Sequence, residues 1–251
     1  MNILVFGKGG RQEACRERLM SCSGSGGPDI KCAIVLPIPT TKDGKTVNGT
    51  EILLSELIDK IEEGTLVAGY GIPEECAREI EKRGAVIYDA IYDEQLLLKN
   101  AYLTALGAVS SILTSEQAGP EDIKIGIVGY GRIGKEIAKT WFFLGGAPRV
   151  YTKREEVSAE LRSMGIASSV CDGTEDYRGL DILINTAPES IVSADSFGIG
   201  SVRRIIDLAS GNYLKDLPRV EKMGQVPDKM YPKSAGKVYA EAIILRLGGV
   251  I

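Results

Sequence analysis

The residues with the clearest chemical use are Gly129-Tyr130-Gly131-Arg132-Ile133-Gly134. Glycines at this spacing suit a turn that holds a pyrophosphate. The first permits the tight bend, the second lets phosphates approach without a Cβ in the way, and the third lets the following helix pack close to the strand. Glycine makes up 30 of the 251 residues, so the spacing alone carries little weight. Its setting carries more. An apolar strand is expected at 123–128, directly before the turn. A helix is expected at 132–144, directly after it, with Ile133, Ile137, Trp141 and Leu144 on one face. The N-terminus of such a helix offers unpaired N–H groups and partial positive charge to phosphates.

The end of the next expected strand reads Tyr151-Thr152-Lys153-Arg154, with Glu155 and Glu156 only afterwards. A site for NAD usually places Asp or Glu here, bonded to the ribose 2′-hydroxyl. A hydroxyl followed by two cations instead suits a 2′-phosphate, so NADP is expected over NAD. The same residues would also make an ordinary solvated helix start. Thr186-Ala187-Pro188 and Ala209-Ser210 follow two further strands, at the edge where open α/β sheets bind ligands, and are expected beside the ribose and nicotinamide. Gly7-Lys8-Gly9-Gly10-Arg11 also lies between a strand and a helix, but its spacing differs. It fits a cap for an anion and a plain tight turn equally well.

The chain contains no histidine, which removes the usual general base near neutral pH and the commonest metal ligand together. Five scattered cysteines, none in a C-x-x-C pair, argue against a disulfide framework or a zinc site. A net charge of −4 gives no overall pull on nucleic acid or acidic lipid, and no metal, nucleic acid or membrane partner is expected. No basic leader segment precedes the opening strand, and no apolar run reaches the roughly 20 residues of a membrane helix. A cytoplasmic protein is therefore expected.

Two stretches alternate strands and helices, which predicts an α/β fold of two Rossmann-like domains with parallel sheets. Strands are expected at 2–6, 31–36, 66–69 and 85–88, with helices at 10–20, at 51–61 behind a Thr50 cap, and after Pro73. A loop rich in Gly and Ser fills 21–29. In the second stretch, strands are expected at 123–128, 149–152, 181–185 and 204–208, and helices are expected on both faces of the sheet. A long helix at 93–115 joins the two stretches, and a last helix covers 233–247. The expected domains are 1–95 with 233–251, for substrate, and 96–232, for NAD(P) and including the linker helix.

Several segments together resemble the A subunits of bacterial dipicolinate synthase, relatives of the D-2-hydroxyacid dehydrogenases. They are Gly7-x-x-Gly10-Arg11-Gln12, the loop from Leu36-Pro37-Ile38-Pro39 to Thr40-Thr41-Lys42-Asp43-Gly44, and Asn100-Ala101-Tyr102-Leu103-Thr104-Ala105-Leu106-Gly107. The glycine turn follows, then Asn185-Thr186-Ala187-Pro188, Ile206-Asp207-Leu208-Ala209-Ser210 and Pro232-Lys233-Ser234-Ala235-Gly236. The resemblance implies oxidation of dihydrodipicolinate to dipicolinate in sporulating bacteria. It also implies two domains facing each other across a cleft, with the last helix returning to the first. One departure stands out: Leu103 and Leu106 occupy positions where the family carries Pro and Glu.

Without histidine, the proton chemistry of the hydroxyacid dehydrogenases is unavailable. A dehydrogenation that creates an aromatic ring asks less of a base, and orientation with charge neutralisation can supply most of the acceleration. For a dicarboxylate substrate the expected contacts are Arg11, Thr40, Thr41, Lys42 and Lys233. The expected catalytic groups are Asp43, Asp207 and Lys233, with Tyr102 as a further proton acceptor. The expected protein partners are further copies of the chain, in a homo-oligomer, and a flavoprotein-like second subunit. Two other functions remain open at this point: a nucleotide-binding regulatory or partner role without catalysis, and dehydrogenation of another small acid.

Overall fold

The computed structural model describes residues 1–22, 30–172, 174–189, 191–211, 213–214 and 216–248, so most of the Gly/Ser-rich loop expected at 21–29 lies outside the described residues. The chain divides into two compact units, residues 1–100 with 227–251 and residues 101–226.

The first unit is built on four parallel strands, β1 (Asn2–Val5), β2 (Cys32–Val35), β3 (Thr65–Gly69) and β4 (Val86–Asp89), in the order β1-β2-β3-β4. Successive side chains of a strand point to opposite faces, and the core divides accordingly. Ala33, Val35, Leu66 and Ala68 pack with Cys15 and Leu19 of α1 (Gly10–Met20) and with Tyr239, Ala240, Ile243 and Ile244 of the last helix, α8 (Pro232–Arg246). Ile34, Leu36 and Val67 face the other way, toward Leu54, Leu57 and Ile58 of α2 (Leu54–Ile58) and Ile80 of α3 (Glu74–Lys82). Helix α8 lies directly on α1. A Cβ at Gly236 would collide with the Arg11 carbonyl oxygen and stand 2.7 Å from the Ala14 Cβ, so glycine sets this approach.

The second unit is a six-stranded parallel sheet of β5 (Ile125–Val128), β6 (Arg149–Thr152), β7 (Ala167–Val170), β8 (Ile182–Asn185), β9 (Arg204–Asp207) and β10 (Val220–Lys222). The order is β10-β9-β8-β5-β6-β7. Counted from β5 this is 3-2-1-4-5-6, the doubly wound dinucleotide-binding order, and the winding reverses between β5 and β8. One face packs Ile125, Ile127, Val150, Ile182, Ile184 and Ile206 against α4 (Glu94–Glu116), α5 (Arg132–Phe143) and α6 (Glu155–Ser163). The opposite face carries Val128, Tyr151, Leu183 and Ile205 under side chains from connecting segments, among them Tyr177, Leu180, Val192, Ile199, Leu214 and Leu217. Helices on both faces of this sheet were the expectation. Among the described residues its second face is covered instead by irregular chain and one short 3-10 turn, Ile199–Ser201.

Other expectations need correction. The helix predicted at 51–61 is only Leu54–Ile58. Thr50 caps no helix: its hydroxyl donates to the Val47 carbonyl (2.8 Å) and accepts from Ile52 N (3.1 Å), closing a turn before a Thr46–Leu53 bridge. Strands β7 and β10 and the short helix α7 (Val226–Met230) carry no periodic apolar signal and were not foreseen. Helix α4 has 23 residues and, by length and composition, is long and apolar enough to cross a membrane, contrary to the sequence reading. Its Leu96 belongs to the first unit's core and its Ala105, Ala108, Val109 and Ile112 to the second's, as expected of a core helix.

Candidate dinucleotide-binding site

All six strands of the second unit run parallel, so the segments that follow them leave from one edge. That edge gathers 129–134 after β5, 152–154 at the end of β6, 186–188 after β8 and 207–210 at the end of β9. The turn after β5 lies where the winding reverses, the place such sheets leave a crevice for a ligand.

Each glycine of the turn has its own reason. Gly129 has φ +92°, a left-handed value that disfavours any Cβ, and its N–H donates to the Tyr151 carbonyl (2.8 Å). A Cβ at Gly134 would collide with the Gly129 carbonyl oxygen, so the start of α5 presses on the turn. Gly131 has an ordinary φ of −83°, and a Cβ there would meet nothing within 4 Å. Neither backbone strain nor packing calls for glycine at that position. It is the N-cap of α5, and its backbone is left open. Arg132 is exposed and Ile133 half-buried at the first turn of α5, whose N-terminus has no side-chain cap.

From β8, the Thr186 hydroxyl donates toward the carbonyls of Val128 (3.0 Å) and Gly129 (3.2 Å), fixing the back of the turn. Ala187 is buried and Pro188 exposed. From β6, Thr152 is buried and its hydroxyl accepts from Arg154 N (3.3 Å). Arg154 reaches across to donate to the Tyr130 carbonyl (3.1 Å), and Lys153 pairs with Glu189 (2.6 Å).

Asp207 was expected to be catalytic, and its surroundings correct that. It is 1% exposed; Oδ1 accepts from Asn185 Nδ2 (2.9 Å) and Ala209 N (3.1 Å), and Oδ2 accepts from Lys222 Nζ (2.7 Å). Lys222 also donates to the carbonyls of Ala209 and Gly211. This cluster shapes the loop at Ala209 and exposed Ser210, and Asp207, 1% exposed and paired with Lys222, serves it rather than an open site. Asn185, Lys222 and Glu189 were missed from the sequence. Lys222 ends an unforeseen three-residue strand, and its partner is 15 residues away in the chain.

In the first unit, Arg11, Thr40–Asp43 and Lys233 differ widely. Arg11 is 5% exposed, with Nε 3.1 Å from Asp228 Oδ1 and Nη2 3.5 Å from Asn100 Oδ1. Burial pulls its pKa down and pushes that of Asp228 up, against their mutual attraction. The guanidinium remains charged, but it serves an internal pair rather than an open substrate contact. Thr40 is fully buried, its hydroxyl accepting from Tyr70 N (2.7 Å), so it too is structural. Asp43 is exposed, yet it accepts from the N–H groups of Thr46 (2.8 Å) and Lys45 (2.9 Å) and from the hydroxyls of Thr46 and Thr41. Those bonds, the Thr46 N–H foremost, hold its carboxyl well below the usual range. It orders the loop and is a poor base, which corrects the second catalytic expectation. Lys42 and Lys233 are exposed cations, and Thr41 is half-buried within the Asp43 turn. Of the residues around the family difference in α4, Leu103 is buried, Leu106 half-buried and Tyr102 exposed.

The strand order and the glycine turn together define the second unit as a doubly wound, Rossmann-type α/β unit. No family model matches the chain. In sequence it is similar to the A subunit of dipicolinate synthase from Bacillus subtilis (strain 168), 24% identical over 159 residues. The match takes in 60% of this chain and spans about half (54%) of the length of that relative. In structure it is similar to the A subunit of dipicolinate synthase from Bacillus halodurans, with a TM-score of 0.81 at 19% identity over 99% of this chain and 98% of that one. An L-alanine dehydrogenase superposes with a TM-score of 0.61 at 15% identity over 98% and 88%. At these identities the structural likenesses establish the fold.

Proposed function

We propose that the chain is a nicotinamide-dinucleotide oxidoreductase that prefers NADP and oxidises a small cyclic dicarboxylate, dihydrodipicolinate to dipicolinate. The observation that carries the cofactor half is the open backbone at Gly131, the N-cap of α5, where a Cβ would meet nothing within 4 Å and which lies at the switch point of the sheet. The residues fit the group. Gly129–Gly134 and the N-terminus of α5 would hold the pyrophosphate, Lys153 and Arg154 the 2′-phosphate, and Thr186–Pro188 with Ala209 and Ser210 the ribose and nicotinamide. When bound, the nicotinamide would accept a hydride from the substrate, and the accompanying ring proton would pass to solvent water.

The chain's own residues bind and orient. Asp207, held by Lys222 and Asn185, keeps the Ala209–Ser210 segment in place. Likeness to the A subunit of dipicolinate synthase supports this choice of substrate. The test is NADPH formation from freshly generated dihydrodipicolinate, alongside a binding titration with NADPH and NADH. Binding without turnover would remove the substrate half and keep the cofactor half.

A second reading rests on the state of the two carboxylates. Asp43 and Asp207 are both engaged by the protein, which favours a nucleotide-binding partner subunit that works with a second, flavoprotein-like chain. Tight NADPH binding with no turnover until such a chain is added would establish it.

A further inference from the structure

Lys153 directly follows β6, and Glu189 follows β8. These two strands flank β5 on its two sides. The Lys153 Nζ–Glu189 Oε2 pair (2.6 Å) therefore spans the strand from which the glycine turn emerges. Adjacent strands lie about 4.8 Å apart, so the link crosses about two strand spacings. Both side chains are about half exposed, 54% and 49%, so the pair is open to solvent and to a ligand. Arg154, by contrast, is tied to the turn itself through the Tyr130 carbonyl. The cation next to the phosphate-reading position thus already has an anionic partner, supplied from a different loop.

We infer that Glu189 is the residue that sets selectivity between the phosphorylated and unphosphorylated dinucleotide, by competing with the 2′-phosphate for Lys153. The inference rests on the dinucleotide reading of the turn. A 2′-phosphate must displace the carboxylate from Lys153 or sit beside it, and two anions sharing one ammonium repel. A ribose 2′-hydroxyl meets no such competition, because a carboxylate accepts its hydrogen bond. Glu189 therefore lowers affinity for NADP and leaves NAD largely unaffected. The pair acts as a counterweight to the two cations after β6, and the strength of the NADP preference depends on it.

The test is a fluorescence binding titration of the full chain with NADPH and NADH. It compares wild type with Glu189→Gln, Lys153→Gln and the double variant, each at low and high salt. Glu189→Gln should tighten NADPH binding by about tenfold and change NADH by less than about twofold, with the gain shrinking at high salt. Lys153→Gln should weaken NADPH by about tenfold. In that background Glu189→Gln should recover much less than its single-variant gain, because the carboxylate acts by masking Lys153. An unchanged NADPH-to-NADH ratio in Glu189→Gln, or a shift toward NADH, would overturn the inference and leave the dinucleotide site standing. Failure of folded wild type to bind either dinucleotide would overturn both.

Discussion

Both units contain a strand, a glycine-rich turn and a helix in succession, yet the glycines of the two turns have different reasons. In the first unit, Gly7 and Gly9 have φ values of +91° and +104°, so the backbone itself requires them. A Cβ at Gly10 would stand 2.9 Å from the Pro232 Cβ, at the start of α8. Glycine there makes room for another part of the protein. In the second unit, Gly129 is required by its backbone and Gly134 by close packing, but Gly131 by neither. The sheets differ in the same sense. The order β1-β2-β3-β4 never reverses, whereas the second sheet reverses between β5 and β8, beside its turn. A glycine-rich strand–helix junction does not by itself mark a ligand site; the winding of the sheet and the reason for each glycine separate the two turns.

The widest separation between the two turns should come from filling each with a side chain. Gly131→Val should fold, with at most a modest loss of stability from a poorer α5 N-cap, and lose dinucleotide affinity by about a hundredfold or more, as a Cβ branch takes the space of a bound phosphate. Gly10→Val should do the reverse, costing about 1–3 kcal/mol through overpacking against Pro232 and leaving affinity unchanged. Calorimetry with a binding titration reads both. Equal loss of binding in the two variants would erase the distinction drawn between the turns.

Two charge pairs with a buried member, one in each unit, should differ in cost. Lys222→Ala strands the carboxylate of Asp207, which is 1% exposed, and should destabilise by about 3 kcal/mol in denaturant unfolding. Arg11→Met leaves Asp228, 34% exposed and able to hydrate, and should cost only about 1–2 kcal/mol. The reverse ranking would mean that the Ala209–Ser210 segment does not depend on its lysine tether.

At the turn itself, Arg154→Ala should cost about 1–2 kcal/mol of NADP binding, as for hydrogen bonds to charged groups, and spare NAD. Isothermal titration with the two dinucleotides decides this, and equal losses would assign Arg154 to the turn rather than to the phosphate.

The smallest effect concerns alkaline pH. Burial pushes the Cys15 thiol up to about 12 from an ordinary value of 9.0. Because the folded value is the raised one, this stabilisation is present below pH 9 and is lost as pH rises toward 12. Burial, helped by Glu175, does the same to Cys171 in the second unit. Cys15→Ala should raise the alkaline unfolding midpoint by roughly a few tenths of a pH unit, measured relative to its own stability at pH 7. A midpoint that falls would show that the thiol's packing outweighs its titration.

How much of this was legible beforehand follows from how far apart the interacting residues lie. Strands such as 125–128 and 182–185 are short apolar runs, and helices α5 and α4 carry apolar residues at helical spacing, so local pattern was enough to place them. The glycine turn was legible for the same reason, since strand, turn and helix are contiguous. Asp207 and Asp43 showed the limit. Both are carboxylates at a strand end or loop, and only their partners distinguish a catalytic group from a structural one. The partners of Asp207 are Asn185, 22 residues before it, and Lys222, 15 after it. Those of Asp43 are backbone N–H groups that exist only once the loop is folded.

By itself, then, the sequence determined the two α/β stretches, the phosphate-type turn, the absence of any histidine mechanism and the cations after β6. These depend on residue type and near-neighbour spacing, which folding does not change. Tertiary structure alone decided which carboxylates are engaged, that Arg11 is enclosed, that irregular chain covers one face of the second sheet, and that Glu189 stands against Lys153. Apart from the local turn at Asp43, each of these is a meeting of segments distant in the chain. Its energy depends on burial and on which groups share the remaining hydrogen bonds, and both are fixed only when the sheet order brings the strand ends together.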